Sequence, residues 1–208
     1  MATSPGISLG TERLVFFTDA VVAIAATLLI LPLVDRVPEA ARESADLADF
    51  FVVNGAQVAA FFLSFVVIAR LWLAHHALFE HVAASNRTLR WLNLLWALTI
   101  VVLPLPTGFV AEYAPSSLSV ALYVGTMFLS SLTLTALTIV VRRTPGLERQ
   151  DNPLGPDRGA LSFVTPALFA VALIVGAAIP AINYWALLVL LLSGVVNAIV
   201  SRGIHRLK

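Results

Sequence analysis

Apolar residues form six long runs along the chain, and the segments between them hold nearly all of its charged residues. Each run is about 17–24 residues long, which suits a helix that crosses roughly 30 Å of hydrocarbon. The strands of a transmembrane β-barrel are only about 10 residues long. We therefore predict an all-α polytopic membrane protein, a single domain over residues 1–208, with spans at about 14–34, 50–69, 91–111, 118–141, 160–180 and 184–200. Pro104 and Pro106 should kink or end the third span.

The composition also favours lipid as the surrounding solvent. Hydrophobic residues make up 59% of the 208 residues and charged residues only 12%, whereas a soluble domain has roughly 25% charged residues. The net charge of +1 gives no reason to expect a nucleic acid as partner. The absence of cysteine excludes disulfides, thiolate metal sites and cysteine nucleophiles. We expect no cofactor and no metal.

The basic residues predict the orientation. Cytoplasmic loops of membrane proteins carry an excess of Lys and Arg. With the N-terminus inside, eleven of the thirteen basic residues are cytoplasmic, including Arg70 in the segment 70–90, and only Arg36 and Arg42 lie outside. We therefore expect both termini in the cytoplasm and a multi-pass protein of the plasma membrane. The first run is too long for the apolar part of a cleaved signal peptide, so it is predicted to be a permanent span.

Asp19 is the one carboxylate well inside an apolar run. A charge within the membrane costs at least ~2.5–3.5 kcal/mol, so such a residue usually has a partner and a function. Arg13 lies six positions away, about 240° around a helix, and would face another side; it can instead contact the ring of Phe17. We expect the partner of Asp19 on another helix. The alternative is that Asp19 lies at the cytoplasmic interface and only caps a neighbouring group.

A group of titratable residues follows at the cytoplasmic end of the second span. His75, His76, Glu80 and His81 are close in sequence, but their spacing is neither His-Glu-x-x-His nor His-x-x-Glu-His. A second group of ligands is absent from the sequence. A structural role is therefore favoured over a catalytic metal site.

Hydrogen bonding to the first span is the expected role of these histidines. His75 or His76 would bond Thr18 or Asp19, since all lie at a similar depth on the cytoplasmic side. Asn93, a polar residue in the third apolar run, needs a partner in lipid and is expected to complete the same network. The alternative is that both histidines face lipid headgroups.

The residues from Arg13 to Asp19 (RLVFFTD) resemble the Arg-x-x-x-Phe-Ser-Asp signature of the lysosomal potassium channel family, transmembrane protein 175. The resemblance extends over residues 12–107. Its later elements are Trp72, His75, His76 and Phe79, then Leu92-Asn93-Leu94, then the segment Leu103 to Thr107 (LPLPT). Thr18 stands for the usual Ser and keeps the hydroxyl, and Leu105 stands for the usual Phe.

This resemblance implies a fold and a function. Prokaryotic members of the family resemble one half of the animal protein and form homotetramers of six-helix subunits. The first helix of each subunit lines a central pore, and the signature residues tie its cytoplasmic half to neighbouring helices. Conduction favours potassium over sodium without a filter of carbonyl groups. The implied ligand is therefore the permeant potassium ion, with other monovalent cations as competitors.

The first span itself has a candidate pore face. Ile24, Leu28 and Leu31 fall at i, i+4 and i+7 and share one stripe, and four copies around an axis would form apolar rings that can gate by dewetting. The family resemblance matches Ile24 to the constriction, Thr27 to a hydroxyl layer and Leu31 to the next apolar layer; Leu28 follows from spacing alone. Alternatively, the same aliphatic residues simply contact lipid or the bundle core.

The sequence therefore favours a potassium-preferring cation channel and not an enzyme. The first alternative is a proton-coupled secondary transporter that uses Asp19. Transporters usually have broken helices and polar residues at the midplane, and the sequence indicates neither. A membrane-embedded enzyme would need clustered catalytic groups, which only the histidine group could supply.

Overall fold

The computed structural model describes residues 8–43, 46–114, 116–155 and 158–178, and within these ranges the regular structure is helical. The only strand-like feature there is an isolated bridge between Val82 and Glu148. The helices are α1 (Leu9–Leu28), α2 (Leu31–Glu43), α3 (Leu47–Val53), α4 (Gly55–Phe79), α5 (Arg87–Val102), α6 (Pro104–Glu112), α7 (Ser117–Arg143), α8 (Arg158–Leu161) and α9 (Val164–Ala178). The all-α prediction is confirmed for this part of the chain.

Among the described residues, four stretches are long and apolar enough to cross a membrane, and they match the first four predicted spans. They are Leu9–Glu43, Gly55–Phe79, Arg87–Glu112 and Ser117–Arg143. The fifth predicted span corresponds to α9, which has 15 residues, and the sixth, 184–200, lies outside the described residues. Six spans, cytoplasmic termini and a single domain therefore stay predictions.

Small polar residues set where several helices begin. Ser8 precedes α1, and its side chain accepts a hydrogen bond from the Thr11 amide (3.3 Å). Asp46, Asn86 and Ser116 do the same before α3, α5 and α7. Each side-chain oxygen satisfies an amide that has no carbonyl partner in the first turn.

The first predicted span is not one continuous helix, which corrects the sequence prediction. It breaks at Leu29 and Ile30, between α1 and α2. Pro32 has no amide hydrogen to donate to the Leu28 carbonyl, and a proline ring also disfavours helical conformation at the preceding residue. The Ile30 amide instead bonds the Thr27 carbonyl (3.4 Å). Helix α2, which follows the break, can therefore take a different direction from α1.

The third predicted span also breaks, as its prolines indicated. The interruption falls at Leu103, before Pro104. The Leu103 carbonyl accepts two hydrogen bonds from Thr107, one from its amide (3.1 Å) and one from its hydroxyl (2.8 Å).

The second span lies later in the chain than predicted. Residues 50–53 belong to the separate helix α3, and α4 runs on to Phe79. Arg70, assigned from sequence to the cytoplasmic segment, is therefore inside α4. It lies nine residues before the end of this helix, about 14 Å along the axis. Hydropathy missed this because one arginine ended the uncharged run while the helix continued.

Helix α7 is the centre of the bundle and packs chiefly against α5 and α9, while α1 packs on α5 and α4. Its largest fully buried side chains include Tyr123, Met127 and Leu137, and they meet Trp96 and Ile100 of α5 in one apolar core. Helix α1 contributes Val22, Ala25 and the adjoining Leu29 to this core. One face of α1 is thus fixed by packing.

A buried hydroxyl cluster ties three helices together. Ser64 of α4 lies 2.9 Å from the Thr107 hydroxyl of α6 and 2.8 Å from the Tyr123 hydroxyl of α7. Without water in the hydrocarbon, hydroxyl groups must find partners within the protein.

On the side predicted to be cytoplasmic, the loops bind one another through the backbone. The Ala83 amide donates to the Leu147 carbonyl (2.7 Å), and the Arg149 amide donates to the His81 carbonyl (2.8 Å). The Ser8 amide donates to the Ala83 carbonyl (3.0 Å). The start of α1 is therefore held to the loop that follows α4.

We expect Tyr123→Phe to lower the stability of the purified protein by about 0.5–1.5 kcal/mol, because it leaves the Ser64 hydroxyl with one partner fewer in an apolar core. The measurement is the unfolding midpoint in detergent, followed by tryptophan fluorescence or size-exclusion chromatography. Tyr113→Phe removes the same atom from an exposed side chain and should leave the midpoint unchanged. Equal midpoints for the two variants would contradict the structural role of this cluster.

Candidate functional site

The first contact of the site joins Asp19 of α1 to Trp72 of α4. The Trp72 indole Nε1 donates to the Asp19 Oδ1 atom at 2.8 Å, and both residues are half-buried. The partner of Asp19 is therefore on another helix, as predicted. It is a tryptophan, whereas the sequence indicated a histidine. An indole suits this place because its single donor reaches the carboxylate while the ring stays in apolar surroundings.

The second contact is a chain of hydrogen bonds through Asn93 of α5. The Asn93 Nδ2 atom donates to the Thr18 hydroxyl (2.7 Å), and the Asn93 Oδ1 atom lies 2.6 Å from His75 Nε2. Thr18 in turn donates to the Leu14 carbonyl (2.8 Å). The predicted direct bond from a histidine to Thr18 or Asp19 is not present among the described residues, because Asn93 stands between His75 and Thr18.

The direction of this chain determines the histidine tautomer. An amide oxygen only accepts, so His75 donates through Nε2. Its other ring nitrogen, Nδ1, is buried and has no hydrogen-bond partner among the described residues. The imidazole is stacked between Phe79 (4.4 Å between ring centroids) and Trp96 (4.1 Å). Thr18, His75 and Asn93 are all fully buried, so α1, α4 and α5 meet in a buried polar contact.

Three of the predicted network residues lie outside this contact. Arg13 and Phe17 are exposed, and no cation–π contact between them occurs in the described part of the chain. His76 is exposed, lies 3.9 Å from Glu80 and packs against Trp72 (5.6 Å between centroids). Within the described ranges, no group of three His, Cys, Asp or Glu residues is placed to hold a metal.

The opposite face of α1 is uncovered in the protomer. Ile24 is 60% exposed, Leu28 42% and Leu31 47%, although Leu31 already belongs to α2. Thr27 is also exposed, and its hydroxyl donates to the Ile24 carbonyl (2.8 Å), so the lone pairs of its oxygen remain available. The predicted stripe is thus present on one side of a helix whose other side is buried.

Sequence reasoning missed Trp72 as a member of the site. It was the first residue of the Trp/His/His/Phe element, but an interfacial tryptophan is common in membrane proteins and explained it well enough. The spacing could have found it: Trp72, His75 and Phe79 lie at i, i+3 and i+7 and share one face of α4.

Comparison with known proteins identifies the family of this chain. The profile of the endosomal/lysosomal potassium channel TMEM175 matches residues 13–104, which contain most of α1, the site on α4 and α5, and both helix breaks. A protein of Streptomyces collinus named a potassium channel is 37% identical over 150 residues, which cover 68% of this chain and 70% of that protein. The chain belongs to the TMEM175 family.

Two further relatives extend the comparison. The mouse endosomal/lysosomal proton channel TMEM175 is 40% identical over 102 residues, 47% of this chain but only 20% of the mouse protein. The crystal structure of a Chamaesiphon minutus homologue of the lysosomal potassium-selective channel TMEM175 superposes with a TM-score of 0.68 at 23% identity. It covers 93% of this chain and 97% of that one, and shows that the fold is shared. As a TMEM175 member the chain is an ion channel of the membrane, which is not an enzyme class.

We expect Trp72→Phe to destabilise the protein by about 0.5–2 kcal/mol, because Asp19 loses its N–H donor within an apolar environment. The thermal midpoint in detergent measures the effect. Trp91→Phe is the matched control, since Trp91 is exposed and its loss of the indole should cost little.

A double-mutant cycle separates this hydrogen bond from ring packing. Asp19→Asn in the Trp72→Phe background should cost less than Asp19→Asn alone. Additive effects would show that Trp72 supports the bundle only by its volume.

Proposed function

We propose that the protein is a potassium-preferring cation channel of the plasma membrane, in which four copies of the chain surround a pore lined by α1. The observation that carries this proposal is the two-sided character of α1. One side is anchored by Asp19 and Thr18, and the other leaves Ile24, Leu28 and Leu31 uncovered. A helix held so firmly to its own subunit is suited to present a fixed surface to an axis.

The proposed conduction path consists of stacked apolar rings. Four copies of Ile24, one turn below Leu28, would form a constriction from which water is easily expelled. Thr27 lies beside this constriction. Its hydroxyl proton is directed to the Ile24 carbonyl, so the hydroxyl oxygen can coordinate a partly dehydrated cation through its lone pairs. Potassium loses its hydration shell at a lower cost than sodium, so such a path would favour potassium.

The charge outside the membrane supports cations as the permeant ions. The outer segments contain six carboxylates and two arginines, and Arg36 already pairs with Glu112. An excess of negative charge at a mouth raises the local concentration of cations. The six carboxylates are Asp35, Glu39, Glu43, Asp46, Asp49 and Glu112.

In this proposal the polar contact is the point about which α1 moves. Thr18 and Asp19 hold its cytoplasmic half to α5 and α4, while the break at Leu29 and Ile30 leaves the outer end free to change direction. Gating would be a small rotation or splay of α1 between these two points. Arg13 and Phe17, exposed at the cytoplasmic end, would contact the neighbouring subunit or headgroups, and His76 would do the same beside Glu80.

A proton-coupled transporter is less well supported. Two spans are indeed broken, as in many transporters, but the breaks are surrounded by aliphatic groups and hydroxyls and carry no ionisable residue. Asp19 lies about 15 Å from the break along α1 and is satisfied by Trp72. The broken helices therefore fit a flexible pore wall better than a coupling site.

We expect Ile24→Ala to raise the potassium conductance several-fold and to move the potassium-to-sodium permeability ratio toward one, because a smaller side chain widens and wets the constriction. The measurement is current through the purified protein in planar bilayers, with reversal potentials under opposed potassium and sodium gradients. Ile174→Ala is the matched control, since Ile174 of α9 is similarly exposed but lies away from α1.

Unchanged conductance and selectivity in Ile24→Ala would refute the pore assignment. The same bilayers test the permeant ion: a reversal potential that follows a pH gradient and ignores potassium would make this chain a proton channel, like its animal relatives by name. Mass photometry in nanodiscs tests the assembly, where we expect four copies of the 22.3 kDa chain.

A further inference from the structure

A cavity of about 390 Å³ lies between α4, α7 and α9, on the side of α4 away from Trp72. Its walls are mostly apolar, with Leu71, Leu134 and Phe169 among them. A volume of this order is typical of small-molecule sites. The cavity is in the half of the bundle predicted to be cytoplasmic, because it extends from Val67 toward Leu78 on α4.

The charge at the wall of the cavity is positive. Among the lining residues that the structure describes, Arg70 is the only charged one, and none is a carboxylate. Arg70 already makes an interaction within the chain, but a guanidinium has five N–H donors and can bind a second partner. An arginine within a spanning helix is costly and usually marks a binding site or an ion path. The complementary ligand is an anion.

The hydroxyl groups beside Arg70 add a second requirement. Thr135 donates to the Ser131 (3.0 Å) and Ser162 (2.7 Å) carbonyls, and Thr138 donates to the Leu134 carbonyl (3.0 Å). Since their protons are engaged with the backbone, these oxygens offer only lone pairs to a ligand. The ligand should therefore carry hydroxyl donors next to its anionic group.

From these features we infer that the cavity binds an anionic phospholipid of the cytoplasmic leaflet with a hydroxyl-bearing headgroup, of which phosphatidylglycerol is the simplest. The phosphate contacts Arg70, the headgroup hydroxyls donate to Thr135 and Thr138, and an acyl chain lies along the apolar wall. Arg70 is about 14 Å from the end of α4 and can extend toward the headgroups. Anionic lipids are enriched in this leaflet.

The site has a structural route to α1. Arg70 and Ala74 line the cavity, while Trp72 lies on the other side of the same helix, since two residues of separation turn about 200°. His75 lies between these sides, about 100° around the helix from Ala74. A bound lipid would press α4 toward the hydrogen bonds that hold Asp19 and, through Asn93, Thr18. Occupancy should therefore stabilise the protein, whether or not it conducts ions.

Native mass spectrometry of the purified full-length protein tests the binding. After delipidation, phosphatidylglycerol added back should be retained at least tenfold more strongly than phosphatidylcholine and should raise the thermal midpoint by several degrees. Arg70→Gln should reduce this retention at least tenfold, whereas Arg87→Gln, an exposed arginine outside the cavity, should not.

Ala74→Phe provides a second variant that keeps Arg70 but fills the cavity, and it should also lose retention. Equal retention of both lipids, or by all variants, would overturn the proposal. So would a wild-type protein that retains no lipid, since the cavity would then be covered by another part of the chain or by a neighbouring subunit. A midpoint raised equally by free glycerol phosphate would overturn the membrane source of the ligand. None of these results depends on ion conduction.

Discussion

The amide of Asn93 has no water to bond inside the bilayer, and this constraint sets the relation between three helices. It must donate and accept within the protein, and it does so with Thr18 of α1 and His75 of α4 at 2.7 and 2.6 Å. Because each of these residues is fully buried, a large rotation of α1 about its axis would break the chain of hydrogen bonds. The same rotation would remove Asp19 from Trp72.

The uncovered face of α1 is a consequence of this anchoring. With Thr18, Val22 and Ala25 turned into the bundle, helical geometry directs Ile24 away from it, at least about 100° around the helix from each of the three. Leu28 lies beside the buried face, about 60° from Ala25, and is still 42% exposed. Packing alone would tolerate such a helix in several rotations, since aliphatic side chains are interchangeable in lipid. A hydrogen bond, in contrast, needs a particular donor and acceptor in a particular direction. The polar contact therefore determines which aliphatic residues face away from the subunit.

The sequence predicted the features that can be read along the chain, and it missed those that depend on how the helices are turned toward one another. Four spans and the mutual proximity of Thr18, His75 and Asn93 were predictable, because long apolar runs and rare polar residues within them are visible in one dimension. The break at Leu29 was not predicted, although Pro32 was in view, because a proline near a span end is compatible with a kink, a stop or neither. The donor to Asp19 required three-dimensional knowledge: Trp72 and a histidine were equally near in sequence, and only the rotation of α4 decides between them. Arg70 was misplaced because hydropathy reports charge and not where a helix ends.

Helix α4 thus has two faces with different tasks. Trp72 faces α1, and Arg70 and Ala74, each two positions away from it, border the cavity against α7 and α9. A helix packed between a hydrogen-bonded contact and an incompletely filled space transmits force from the second to the first, since close-packed side chains do not deform gradually. The lipid surrounding a TMEM175 channel would then act as more than solvent: what fills the cavity on one side of α4 would set how firmly α1 is held on the other.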